Sequence, residues 1–139
     1  MGRPSDYTPE IASEICGRLI EGESLRAICR DDGMPHAATV CRWLGEHEAF
    51  REQYARAREA QADTLFDEIL HIADTPQEGV KTKVLPDGTV ESQHGDMIDH
   101  RRLQVDSRKW MLGKMQPRKY GDKQTLEHTG KVTIDWVRD

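Results

Sequence analysis

Apolar residues first recur at helical spacing in Ile11, Ile15, Leu19 and Ile20, which share one face of a predicted first helix. Thr8 offers a capping oxygen, Pro9 fits the first turn, and Glu10 sits beside the positive end of the helix dipole. Gly22 stops this helix, and Ser24 caps a short second one with Leu25, Ile28 and Cys29 inward. Gly33-Met34-Pro35 forces a turn. A third helix runs from about His36 to Leu44 and turns Val40, Trp43 and Leu44 to the core. Three short helices with a Gly-containing turn before the last predict a helix-turn-helix domain over residues 1–46.

From His47 to about Ala73 there is no Gly or Pro and much alanine, which predicts a single long helix. Ala62, Leu65, Phe66, Ile69, Leu70, Ile72 and Ala73 occupy an arc of about 160°, too broad for one neighbour. Asp63, Asp67 and Asp74 flank the arc, and His71 lies opposite its centre. Residues 75–96 alternate on both sides of Pro86-Asp87-Gly88, which predicts an exposed β-hairpin. A returning helix follows from about Met97 to Met115. Its Ile98, Val105 and Leu112 repeat every seven residues, with Leu103 and Trp110 on a separate face, so the helix is expected to lie between two surfaces. Arg101 and Arg108 keep the same step and are expected to face the acidic flank of the long helix in antiparallel packing.

Pro117 ends the returning helix, and Arg118 to Lys123 reads as a polar turn. The tail alternates Val132, Ile134 and Trp136 with Thr133, Asp135 and Val137, a strand pattern that needs other strands to be stable. The predicted fold class is therefore mainly α. A helix-turn-helix domain (1–46) precedes a central antiparallel helical pair (47–115) with a hairpin at 75–96, then a short C-terminal β segment (116–139). Leu65, Phe66, Ile69, Leu70, Ile98, Leu103, Val105, Trp110 and Leu112 present more apolar flank than one copy hides, and are the predicted oligomerisation residues.

Composition supports that partition. With 139 residues, 36% of them hydrophobic, the chain can bury one modest core, or a small module plus helices completed by partners. No apolar run approaches a membrane span, and the N-terminus lacks the apolar core of a secretory signal, so the protein is expected to stay in the cytoplasm where it is made. Cys16, Cys29 and Cys41 are an odd number for a disulfide framework and read as buried thiols on helix faces. A zinc site adding His36 or His47 is the alternative, and it lacks C-x-x-C spacing. The net charge of -5 is unevenly spread. Residues 1–46 hold five basic and eight acidic side chains, residues 47–99 five and twelve, and residues 100–139 ten and five. An N-terminal module at -3 binds DNA weakly as a single copy, so useful affinity requires several linked copies.

Taken together, Gly2 to Glu10, Gly22-Glu23-Ser24-Leu25, Gly33-Met34-Pro35, Thr39 to Leu44, His47 to Asp74, Val105 to Trp110 and Pro117 to Lys123 resemble the small terminase subunits of tailed double-stranded DNA phages. The resemblance implies an N-terminal DNA-binding domain, central helices that assemble a homo-oligomeric ring, and a β-rich C-terminus. It further implies selection of double-stranded viral DNA in the host bacterial cytoplasm, and its delivery to a large terminase subunit that holds the ATPase and nuclease. The hairpin at 75–96 departs from the shorter link that such proteins use.

Within the third helix, His36, Ala37, Thr39 and Arg42 stand where a recognition helix reads bases: arginine suits a guanine edge or phosphate, and Ala37 and Thr39 suit a thymine methyl. Arg26 and Arg30 on the second helix are candidates for the phosphate backbone. Arg3, within Gly2-Arg3-Pro4, resembles a minor-groove hook, with a disordered N-terminus as the alternative. The basic stretch from Arg108 to Lys123 reads either as a second DNA surface or as a structural turn. Val132, Ile134 and Trp136 are the candidate dock for the large subunit.

Enzymatic readings fare worse. Glu68 and His71 have the Glu-x-x-His spacing of helical di-iron sites, but His71 falls opposite the apolar arc. Glu91 and His94 repeat the spacing in the hairpin, where helical geometry has no meaning. No Gly-rich phosphate loop with Lys-Ser or Lys-Thr is present. The chain is read as a non-enzyme with no metal, cofactor, membrane partner or small-molecule substrate. A helix-turn-helix repressor and an assembly adaptor that binds no DNA are the alternative functions.

Overall fold

A computed structural model describes residues 2–122 and residue 130. The helices are α1 (Pro9–Ile20), α2 (Leu25–Ile28), α3 (Ala37–Glu46), α4 (Glu48–Asp74), α5 (Ile98–Met115) and α6 (Pro117–Tyr120), with strands β1 (Glu78–Val84) and β2 (Val90–Asp96) between α4 and α5. The tail candidates Val132, Ile134 and Trp136 lie outside the described residues.

The N-terminal core forms where α1, α2 and α3 close over the start of α4. Ile15, Leu19, Ile28, Val40, Trp43 and Phe50 are buried there together with Ala12, Cys16 and Met34. Thr8 Oγ1 accepts from the Ile11 amide at 3.3 Å and Ser24 Oγ from the Ala27 amide at 3.1 Å, so both predicted caps form. Gly22 ends α1 at φ 103°, with its amide donating to the Leu19 carbonyl and the next amide to Arg18. That pattern of two back-bonds over a left-handed residue is a Schellman cap. The inward face of α1 is Ala12, Ile15, Cys16 and Leu19; Ile20, the last residue before the turn at Gly22, is exposed instead. Cys16 and Cys29 are buried as expected, whereas Cys41 is exposed: it sits on the face of α3 away from Val40 and Trp43.

A second, smaller core joins α4 to α5 and α6 through Ala62, Leu65 and Leu112, with Ile69, Met115 and Tyr120 against it. The two long helices pack antiparallel, but not through the predicted charge pairs. Arg108 Nε donates to Glu68 Oε2 at 2.8 Å, and Arg101 grips Asp96 and the carbonyls of Ile72 and Ala73. Asp67 and Asp74 make no ion pair with a described residue, since helical rotation turns them past the α5 contact. Asp63 instead holds α6: Lys119 Nζ and Tyr120 Oη donate to it at 2.7 and 2.6 Å. The predicted polar turn thus begins as a helical turn, started by Pro117 at its N-terminal position.

The hairpin lies within residues 75–96, pairing Glu78 with Asp96 at one end and Val84 with Val90 at the other. Gly88 takes φ 85° in its turn, and Asp87 Oδ1 accepts from the Thr89 amide at 2.9 Å. Every residue from Lys81 to Val84 and from Val90 to Gly95 is exposed.

Candidate nucleic-acid interface

The helix-turn-helix fixes α3 by its inner residues and leaves its other side to solvent. Trp43 and Val40 are fully buried, with Trp43 edge-on to Tyr7 at 5.5 Å between ring centroids. Tyr7 also stacks on His47 at 3.8 Å and leans on Phe50, so the segment before α1 is clamped across the junction of α3 and α4. His36 precedes α3 as its N-cap without a side-chain cap bond, and is exposed with Ala37, Ala38, Cys41 and Arg42; Thr39 is half-buried. Of the predicted reading residues, His36, Ala37 and Arg42 are thus open to solvent and Thr39 only in part, and His36 and Ala37 stand at the N-terminal end of α3. There the free amides and the dipole also favour an anion.

Arg42 is not idle in the free chain. Its Nη2 donates to the Ser5 carbonyl at 3.1 Å, and its Nε lies 3.8 Å from Glu46. Arg3 is not a free hook either: its guanidinium donates to the carbonyls of Cys29 and Arg30 and lies 3.7 Å from Asp32. Those carbonyls close the C-terminal end of α2, where a cation complements the dipole. Arg26 is exposed on α2, and Arg30 falls in the turn just beyond it rather than on the helix.

Some of the acid that gives this module its negative charge is neutralised internally. Arg18 donates from Nε and Nη2 to Glu23 at 2.9 and 2.7 Å and from Nη1 to Asp31. The Glu23 hydrogen bond, then that of Asp31, raises the Arg18 pKa, and Arg18 in turn lowers that of Glu23. Glu23 and Asp31 are thus tied to one side of the domain, while Arg26 and Arg30 make no ion pair with a described residue.

Polar residues that periodicity did not single out couple this module to the long helix. Gln61 is 3% exposed; its Nε2 donates to the Glu23 carbonyl at 2.7 Å, and its Oε1 accepts from Arg58 at 2.7 Å. Thr64 Oγ1 donates to the Ile20 carbonyl at 2.7 Å. The available signal was their place one and two positions either side of the apolar residue Ala62, on a helix too broad-faced for a single neighbour. Among the described residues no group of His, Cys, Asp and Glu is arranged to hold a metal ion. Glu68 is spent on Arg108, and among the described residues the His71 ring hydrogen-bonds only with Thr75, at 3.5 Å.

The family described as "Bacteriophage Sf6, terminase small subunit-like" matches residues 7–127. The chain belongs to that family. Solved crystal structures of the terminase small subunit gp1 of the bacterial virus Sf6, carrying an arginine-to-alanine or an aspartate-to-arginine substitution, are 45% identical to it. Each alignment covers 97% of this chain and 95% of the other, with TM-scores of 0.69 and 0.68. An uncharacterized protein of Escherichia coli K12, YffO, is 44% identical over 54 residues, which span only 39% of either chain. The fold shared with the small terminase subunits is mainly helical, with a two-stranded antiparallel sheet. No helix among the described residues is long and apolar enough to cross a membrane.

Proposed function

We propose that this small terminase subunit assembles into a closed ring of identical copies, recognises double-stranded viral DNA through α3, and delivers it to the large terminase subunit in the host cytoplasm. The ring does no chemistry of its own; the ATPase and nuclease that it regulates reside in the large subunit.

One observation carries this reading. After α4 and α5 have packed on each other, Phe66 and Leu70 remain 44% and 54% exposed, and Leu103 and Trp110 remain 63% and 67% exposed. Phe66 and Trp110 line one groove of α4, α5 and α6, and contiguous exposed apolar surface of this kind marks an interaction site. Each Leu or Phe fully buried between copies contributes about 1.5–3 kcal/mol. Assembly also multiplies the number of α3 helices facing one DNA, which offsets the weak affinity of a single acidic module. Light scattering on the intact protein at micromolar concentration is expected to give a large closed oligomer; a monomer would sink the proposal.

The engagement of Arg3 and Arg42 by the chain's own groups supports a second reading, an adaptor whose N-terminal module binds protein. Replacing Arg42 separates the two. DNA binding that survives Arg42→Ala unchanged at low salt favours the adaptor, and weakened binding favours the DNA reader.

A further inference from the structure

The segment ahead of α1 is pinned at both ends. At one end Arg3 donates to the Cys29 and Arg30 carbonyls and lies 3.7 Å from Asp32, closing the C-terminal end of α2. At the other, Tyr7 stacks on His47 at 3.8 Å and meets Trp43 edge-on at 5.5 Å. Midway between these anchors the Ser5 carbonyl accepts from Nη2 of Arg42, the only Lys or Arg in α3, at 3.1 Å. Glu46, one turn further along α3, lies 3.8 Å from Arg42 Nε. Two of the three guanidinium nitrogens are thus engaged, and Nη1 makes no hydrogen bond or ion pair with a described residue. The side chain of Arg42 is 55% exposed and that of Arg3 27%, so Arg42 can present a donor outward while Arg3 is committed to α2. Pro4, with its fixed φ, stiffens the link from Arg3 to Ser5.

We propose that Arg3 is a positioning residue for DNA reading: it straps the N-terminal segment to α2, so that the Ser5 carbonyl holds the Arg42 guanidinium with Nη1 free for a phosphate or a guanine edge. The inference rests on the reading of α3 as the DNA-contacting helix and adds how its one arginine is held. A long side chain frozen only on binding gives up its rotamer freedom at that moment, whereas one already held gives up less. The planar guanidinium suits this task, since fixing two of its nitrogens fixes the direction of the third. Arg3 itself stays out of the DNA grooves. To enter one it would have to release two carbonyls and Asp32, and leave the C-terminal end of α2 without the cation that complements its dipole.

A double-mutant cycle tests this, read as anisotropy of a labelled mixed-sequence DNA duplex titrated with the intact protein across a salt series. Arg3→Ala frees the strap and is expected to weaken binding about three- to tenfold, the range set by leaving one rotamer-rich side chain to be ordered on binding. In the Arg42→Ala background the same change is expected to cost no further affinity and to leave the salt slope where Arg42→Ala put it. A side chain that merely stabilised the domain would keep its effect when Arg42 is gone. Arg3→Lys keeps the charge but not the fork that spans two carbonyls. It is expected to weaken binding in the same Arg42-dependent way, and replaces Arg3→Ala in the cycle if the alanine lowers the urea midpoint. Equal losses in both backgrounds would show that Arg3 acts on DNA without Arg42 and overturn the proposal, a salt slope lowered by about one then marking a phosphate contact. Tighter binding by Arg3→Ala would show that the strap obstructs α3, and unchanged binding that it does nothing for Arg42; either result overturns it. Binding unaffected by Arg42→Ala instead removes DNA reading through α3, and the role of the strap with it.

Discussion

At the scale of single residues, the joint between the helix-turn-helix and α4 depends on a few side chains with no slack. Gln61 uses its amide to satisfy a backbone carbonyl that the α1–α2 turn leaves free. Removing one partner of a buried hydrogen bond strands the other, at a cost of about 1–3 kcal/mol. Gln61→Ala is therefore expected to lower the urea midpoint while leaving α3 intact; an unchanged midpoint would show that the joint is held by packing alone. Gly22 is constrained from two sides: its φ of 103° suits only glycine well, and a Cβ there would lie 3.1 Å from Glu68 Oε1 and 3.4 Å from Thr64 Cγ2. Gly22→Ala is expected to cost about 1–2 kcal/mol in the same measurement, chiefly through the left-handed backbone. Arg42 answers to a different readout. Truncating an arginine that contacts a base or phosphate costs about 1–3 kcal/mol of binding, so Arg42→Ala should weaken DNA binding about tenfold or more while the unfolding midpoint hardly moves.

At the scale of elements, most of the helices were legible because each carries its own start and stop. Thr8, Ser24 and Gly22 act within a few residues of themselves, so the sequence alone places α1 and α2 closely. What could not be read was rotation between α4 and α5. Acidic and basic stripes indicated that the two helices meet, but pairing depends on the angle of each about its axis, and the actual partners are Glu68 and Asp96 rather than Asp67 and Asp74. The contacts that Arg3 makes within the chain were missed for a related reason, since its acceptors lie far along the chain at the end of α2. The short α6 shows the consequence of such distant pairing. Lys119 first, then Tyr120, holds the Asp63 carboxyl below its ordinary range. A carboxylate depressed on folding stabilises the structure above its unfolded pKa, and that contribution is lost as the pH falls through the folded value. The attachment of α6 to α4 is thus expected to hold at neutral pH and to loosen once the solution is acidified below the usual aspartate range. Amide exchange at Gly121, whose N–H donates to the Pro117 carbonyl, reports it. In Asp63→Asn that acid dependence should vanish; if it persists, another carboxylate is responsible.

At the scale of the whole molecule, charge and assembly are two sides of one problem. DNA affinity comes largely from phosphate neutralisation, and the N-terminal module has fewer bases than acids, five against eight. On the proposed reading, one copy offers DNA only Arg26, Arg30 and the N-terminal end of α3, a small positive surface on an acidic body. Linking copies changes this without adding a contact to any of them, because the second module meets DNA at the high effective concentration set by the first. It also changes the salt response, since the slope of log affinity against log salt scales with the number of phosphates neutralised together. Leu103→Glu lies on α5, far along the chain from α3, so it separates assembly from recognition. That variant is expected to bind DNA about 100-fold more weakly than the wild type, and with a shallower salt slope, while its helix-turn-helix stays folded. Fluorescence anisotropy across a salt series measures both quantities at once. Equal affinities and equal slopes would mean that a single copy suffices to bind, and that the exposed apolar faces of α4 and α5 serve some purpose other than gathering DNA-binding modules.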